Sequence, residues 1–166
     1  VITCDYIPVP EKAVEELLRF ARVKKGEVIY DLGCGTGEFL IPAAEKLGAR
    51  GVGIEVSRRL AEWAAEKVKE HGLEGRVTII RDNFFSPQYW AHLGGGEKPY
   101  AIKKADVVYL YLTLQVQEAL REMLEKELKP GTRVLSYAFR LAQWKPVKEA
   151  MIDETPAYLF VKGTSF

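Results

Sequence analysis

The stretch VIYDLGCGTGEFL, residues 28–40, decides the fold. An apolar run, VIY, leads into Asp31 and then into glycines at alternate positions, Gly33, Gly35 and Gly37. The run reads as a short buried strand. The glycines read as a turn whose backbone can come close to a ligand with no Cβ between them. EFLIPAAEKLG follows as a helix ending at Gly48, with Pro42 acceptable only in or near its first turn. A strand, a glycine turn and a helix in succession open a parallel α/β sheet.

The rest of the chain extends that unit. EKAVEELLRFARV, ahead of it, places Val14, Leu17, Leu18 and Ala21 at helical spacing. GVGIEV (51–56) is a second strand, and Ser57 is a good N-cap for a helix that stops at Gly72. RVTIIRD (76–82), DVVYLYL (106–112) and TRVLSYAF (132–139) are further strands, the last two separated by a long helix ending at KPG. VKEAMID and AYLFVKG then lie close together around ETP, too near for a helix between them. Strands alternating with helices imply right-handed βαβ units. The expected fold is therefore α/β: a Rossmann-like, doubly wound, mostly parallel seven-strand sheet with helices on both faces. The terminal pair adds an antiparallel strand at or near an edge. Residues 11–166 form one domain, preceded by a segment, 1–10.

Composition narrows the function classes. The net charge of +1 gives no strongly basic surface, so direct nucleic-acid binding is not expected. No apolar run approaches the roughly 20 residues of a membrane span. VITCDYIPVPEK has an acid and prolines where a signal peptide is apolar. Cys4 and Cys34 make no disulfide framework, and a reducing cytoplasm is the expected location. One asparagine, Asn83, among many Glu, Lys and Arg residues is a bias found in heat-adapted proteins. No spacing of His, Cys and acids suggests a metal site.

The ligand follows from the turn. A dinucleotide fingerprint, G-x-G-x-x-G, requires glycine where this chain has Glu38, and a carboxylate there is poor company for a pyrophosphate. It suits a cation. S-adenosylmethionine, with a sulfonium, a zwitterionic tail and no phosphate, meets the conditions, leaving S-adenosylhomocysteine as product. The Gly33–Gly37 amides would hold it, with Cys34 a small filler among them. Asp31 would order those amides or, through water, face the ligand's ammonium. Glu55, at the end of the second strand beside Val56, is placed to accept from both ribose hydroxyls. Asp82 and Asn83 would meet the adenine edge, with Phe84 stacking or packing nearby. A NAD-binding oxidoreductase domain is the alternative from another class, and Glu38 speaks against it.

With DLGCGTG and Glu55 in these places, the chain resembles class I S-adenosylmethionine-dependent methyltransferases. YIPVP, VIYDLGCGTGEFL, GVGIEV, RDNFF and LEKELKPGTRVLSYAF together are similar to archaeal protein-lysine methyltransferases and to the mitochondrial enzymes that methylate lysines of ATP synthase. The resemblance implies a monomer acting on lysines of a broad range of proteins, small chromatin proteins included. It implies also that the YIPVP segment folds over the cofactor, with Tyr6 near it. The segment from Pro87 to Lys104 is longer than that pattern. YLYLT replaces the family's usual run at the end of the fourth strand, so substrate choice is open, with a small molecule or RNA as the alternative target.

Tyr111 and Thr113 stand where amino-methylating nucleic-acid enzymes carry Asn or Asp followed by Pro-Pro and an aromatic. Tyr111 is the candidate for lining a lysine channel, since an aromatic wall attracts a cationic amine and tolerates its neutral form. It reads equally as a tyrosine packed at the sheet's end. Thr113 is a second catalytic candidate or a helix N-cap. Trp90, with Tyr89 and Tyr100, is a packing residue or one wall of a substrate groove, and His92 lies in the same loop.

Overall fold

In the computed structural model, residues 5–83 and 101–166 are described. Helix α1 (Glu11–Phe20) precedes β1 (Val28–Leu32), α2 (Leu40–Leu47), β2 (Arg50–Glu55), α3 (Arg58–Glu70) and β3 (Val77–Arg81). After a short 3-10 turn, Ile102–Lys104, come β4 (Val107–Leu110), α4 (Leu114–Glu127), β5 (Arg133–Tyr137), β6 (Lys148–Ile152) and β7 (Thr155–Val161). One sheet of seven strands has the order β3-β2-β1-β4-β5-β7-β6. The first five strands in that order are parallel, and β7 runs antiparallel to both β5 and β6. The expected fold is present, its antiparallel strand one position in from the edge.

Alternation along each strand sorts side chains to two cores. Ile29, Val107, Tyr109, Leu135 and Tyr137 face α1 and α2, whereas Tyr30, Leu32, Val108, Leu110 and Val134 face α4. Helix α4 buries Val116, Leu120, Met123 and Leu124 there, each worth about 1.5–3 kcal/mol. Ser57 Oγ accepts from the Leu60 N–H and caps α3, and Pro42 lies in the first turn of α2. The expected strand over 106–112 is shorter, because ladder pairing ends at Leu110, and Tyr111 and Leu112 stand beyond it. The expected strand over 132–139 also stops early: Ala138 takes φ of 77° and turns the chain away. Among the described residues no helix is long and apolar enough to cross a membrane.

The order reverses between β1 and β4, where the chain leaves β1 to one side for β2 and returns to the other. Ligands of open α/β sheets bind beyond the carboxyl ends of the strands at such a point. Asp31 and the glycine turn stand there.

Candidate functional site

The turn is held from β2. The Gly33 and Cys34 N–H groups donate to the Ile54 carbonyl at 2.8 and 3.1 Å, and the Gly35 N–H donates to Glu55 Oε2 at 2.9 Å. Glu55 Oε1 accepts from the Ser57 N–H at 2.9 Å, so one buried carboxylate ties the turn to the start of α3. The donors expected to meet the ligand are thus engaged within the protein. What the turn presents is room. Gly35, at φ of 56°, lies under the Tyr6 ring, and a Cβ there would overlap Tyr6 Cε2. Gly37 N–H donates to the Cys34 carbonyl and closes the turn, while the Cys34 thiol rests where a Cβ on Gly53 would stand. Cys34 is buried, and burial, then Asp31, pushes its thiol pKa up.

The turn borders a small cleft. Asp31, Gly33, Cys34, Gly35, Glu38, Phe39, Tyr109 and Tyr111 line it, with Tyr6, Ile7 and Val9 of the segment ahead of α1. Tyr6 donates to Glu38 Oε1, which also accepts from the Thr36 hydroxyl at 2.5 Å. Lys67 Nζ of α3 reaches Thr36 Oγ1 at 3.3 Å. Sequence reasoning missed the Thr36 and Lys67 part of this network, since nothing local in α3 marks Lys67 as a neighbour of the turn.

Asp31 differs from the other acids. It is 3% exposed, and no described residue hydrogen-bonds its carboxylate. Burial, then the charges of Glu38 and Glu55, push its pKa well above the usual carboxylate range. A buried, unpaired carboxylate beside two others is a poor host for a phosphate and a good one for a cation. The residues present therefore fit a ligand carrying positive charge. Each Glu55 oxygen keeps a free lone pair for a hydroxyl donor.

The other expected residues fall as follows. Val56, beyond Glu55, is 60% exposed. Asp82 and Asn83 follow β3 next to Glu55: the Asp82 N–H donates to the Glu55 carbonyl at 3.2 Å, and the Asn83 N–H to Asp82 Oδ1 at 2.7 Å. Phe84, Tyr89, Trp90, His92 and Tyr100, and Cys4 with them, lie outside the described residues. Tyr111 lines the cleft and packs on Tyr137, ring centroids 5.0 Å apart. Thr113 occupies the N-cap position of α4 without a side-chain cap bond and does not line the cleft. Among the described residues there is no group of three or more His, Cys, Asp and Glu that would hold a metal ion.

A seven-strand sheet of this order, a glycine turn at its switch point, an acid closing β2 and a cation-seeking cleft define a class I S-adenosylmethionine-dependent methyltransferase. The chain belongs to the ANTKMT methyltransferase domain family, whose model matches residues 31–148. It is 36% identical to a protein-lysine N-methyltransferase of Saccharolobus islandicus, over 95% of this chain and 93% of that one. It is 27% identical to a mouse ATP synthase lysine N-methyltransferase over 87% of its length, spanning 53% of that longer protein. Among solved structures, the crystal structure of an RNA methyltransferase from Salinibacter ruber in complex with S-adenosyl-L-homocysteine superposes with a TM-score of 0.82 at 34% identity, covering 93% of both chains. These likenesses agree on a methyl-transferring enzyme. Their names differ on the acceptor.

Proposed function

We propose that this methyltransferase acts on lysine side-chain amines of proteins. The observation that carries the proposal is the aromatic end of the cleft, where Tyr109 and Tyr111 stand with Tyr137 beyond and no charged side chain projects from β4. The extent of the likeness to the Saccharolobus lysine enzyme supports it. When bound, S-adenosylmethionine supplies a methyl group on a sulfonium, open to an incoming lone pair in line with the bond to sulfur. A free lysine has a pKa near about 10.4 and carries a proton instead of that lone pair. The tyrosine wall removes water from the amine, and a second positive charge beside a sulfonium is disfavoured, which favours the neutral nucleophile. Catalysis by this chain is then positioning and desolvation, with no strong base.

In this reading Tyr111 lines the lysine channel, and Thr113 shapes the entry to α4 behind it. Glu55 binds the ribose, Asp31 the ammonium, Gly33, Gly35 and Gly37 give the turn its shape, and Val56, Asp82 and Asn83 surround the adenine. Tyr6 and the segment 1–10 cover the cofactor. A broad set of protein substrates, small chromatin proteins among them, and a monomeric, cytoplasmic enzyme belong to the same proposal. An RNA acceptor is the second reading, favoured by the Salinibacter relative's name. The test offers the protein S-adenosylmethionine with a mixture of lysine-rich proteins and structured RNA, then maps methyl groups by mass spectrometry. Methyl-lysine is the expected product. Methyl groups on RNA alone would overturn the proposal.

A further inference from the structure

Tyr109 has no part in the chemistry described so far beyond forming wall. It stands on β4 directly across from Asp31 in the parallel register of β1 and β4, so the two side chains leave the same face side by side. Its ring stacks on Phe39, with centroids 3.8 Å apart and planes 10° from parallel, which holds the phenol rigidly. The residue is 2% exposed and lines the cleft, yet its hydroxyl has no hydrogen-bond partner among the described residues. Buried polar groups in native proteins are nearly always paired, and exceptions call for a reason. Tyr30 has a similarly unpaired hydroxyl, but it points into the α4 core and not into the cleft. The cleft is what distinguishes Tyr109.

Burial, then the nearby Asp31 carboxylate, keeps the Tyr109 phenol neutral. A neutral phenol both donates and accepts one hydrogen bond, whereas an ionised Asp31 only accepts. The amino acid end of S-adenosylmethionine needs both kinds of partner, having an ammonium and a carboxylate. We infer that Tyr109 is a positioning residue for the methyl donor, its hydroxyl pairing with the amino acid end of the cofactor beside Asp31. Phe39, by stacking on the ring, fixes where that hydroxyl stands. The inference rests on the identity of the methyl donor and not on the lysine acceptor.

Tyr109→Phe tests it, because it removes one oxygen and keeps the stack. Calorimetric titration would use S-adenosylhomocysteine and 5′-methylthioadenosine, which lacks the amino acid end. The expected result is about a tenfold weaker Kd for S-adenosylhomocysteine, the scale of one hydrogen bond. The Kd for 5′-methylthioadenosine should stay as in the wild type, and the ligand-free Tm should hold or rise, since the hydroxyl removed is buried without a partner among the described residues. In turnover, KM for S-adenosylmethionine should rise with kcat nearly unchanged. Unchanged affinity for S-adenosylhomocysteine, or equal weakening of both ligands, would overturn the assignment. Failure of the wild type to bind S-adenosylhomocysteine would overturn the donor along with it, whereas an acceptor other than lysine would leave it standing.

Discussion

Replacing Glu55 separates two roles that meet in one carboxylate. Its oxygens accept the Gly35 and Ser57 N–H groups at 2.9 Å each, the first bond buried and the second partly exposed. Glu55→Ala orphans both donors, at about 1–3 kcal/mol for each buried N–H. Water can reach the Ser57 N–H, so the sum is about 2–4 kcal/mol. For a chain of this length, about 2–4 °C of Tm accompanies each kcal/mol, which predicts a fall of roughly 5–15 °C. In the proposed cofactor pose the remaining lone pairs accept from the ribose, and two hydrogen bonds to a charged acceptor contribute about 3 kcal/mol or more, a loss of at least about a hundredfold in affinity. Glu55→Gln keeps one acceptor and should lose roughly half of each quantity. Scanning calorimetry of the free protein reads the first effect, and titration with S-adenosylhomocysteine reads the second. A variant that melts early but binds S-adenosylhomocysteine as tightly as the wild type would reduce Glu55 to a clasp and refute the ribose assignment.

Asp31→Asn should raise the Tm of the free protein near neutral pH, since a carboxylate whose folded pKa is raised contributes stability at low pH that is lost as pH rises through that value. A cationic ligand favours the ionised form, so wild-type affinity for S-adenosylhomocysteine should fall as pH drops through the raised pKa, and Asp31→Asn should flatten that dependence. Titrations across a pH series check both. Gly35→Ala puts a β-carbon at φ of 56° and under Tyr6, so it should cost about 1–2 kcal/mol and displace the Tyr6 ring. In a double-mutant cycle with Tyr6→Ala, the combined loss of Tm should be smaller than the sum of the single losses. Gln117, fully buried, donates to the Leu112 carbonyl at 3.0 Å and to Ser136 Oγ at 2.9 Å, joining the ends of β4 and β5 behind Tyr111. Gln117→Leu should cost about 2–4 kcal/mol in urea denaturation and lower kcat, while the Kd for S-adenosylhomocysteine holds.

Local chemistry in the chain determined much of this protein. Residues 28–40 carry their own instructions, because an apolar run, an acid and three glycines permit few backbones, and alternating periodicities then build the parallel sheet around them. Ser57 as a cap, Pro42 in a first turn and Glu55 at the end of β2 were all legible for the same reason. Ligand charge was legible too, since Glu38 excludes a phosphate at short range. Strand ends were not. Tyr111 leaves the ladder and Ala138 turns back through contacts with distant residues, Pro156 among them. Only the tertiary structure decided that β2 takes the amide donors of Gly33, Cys34 and Gly35. It alone laid Tyr6 on Gly35, brought Lys67 to Thr36, and set Tyr109 beside Asp31 with no hydrogen-bond partner for its hydroxyl among the described residues. A hydrogen bond spanning tens of residues exists only once both elements are docked, whereas a turn is fixed by the torsions of the few residues within it.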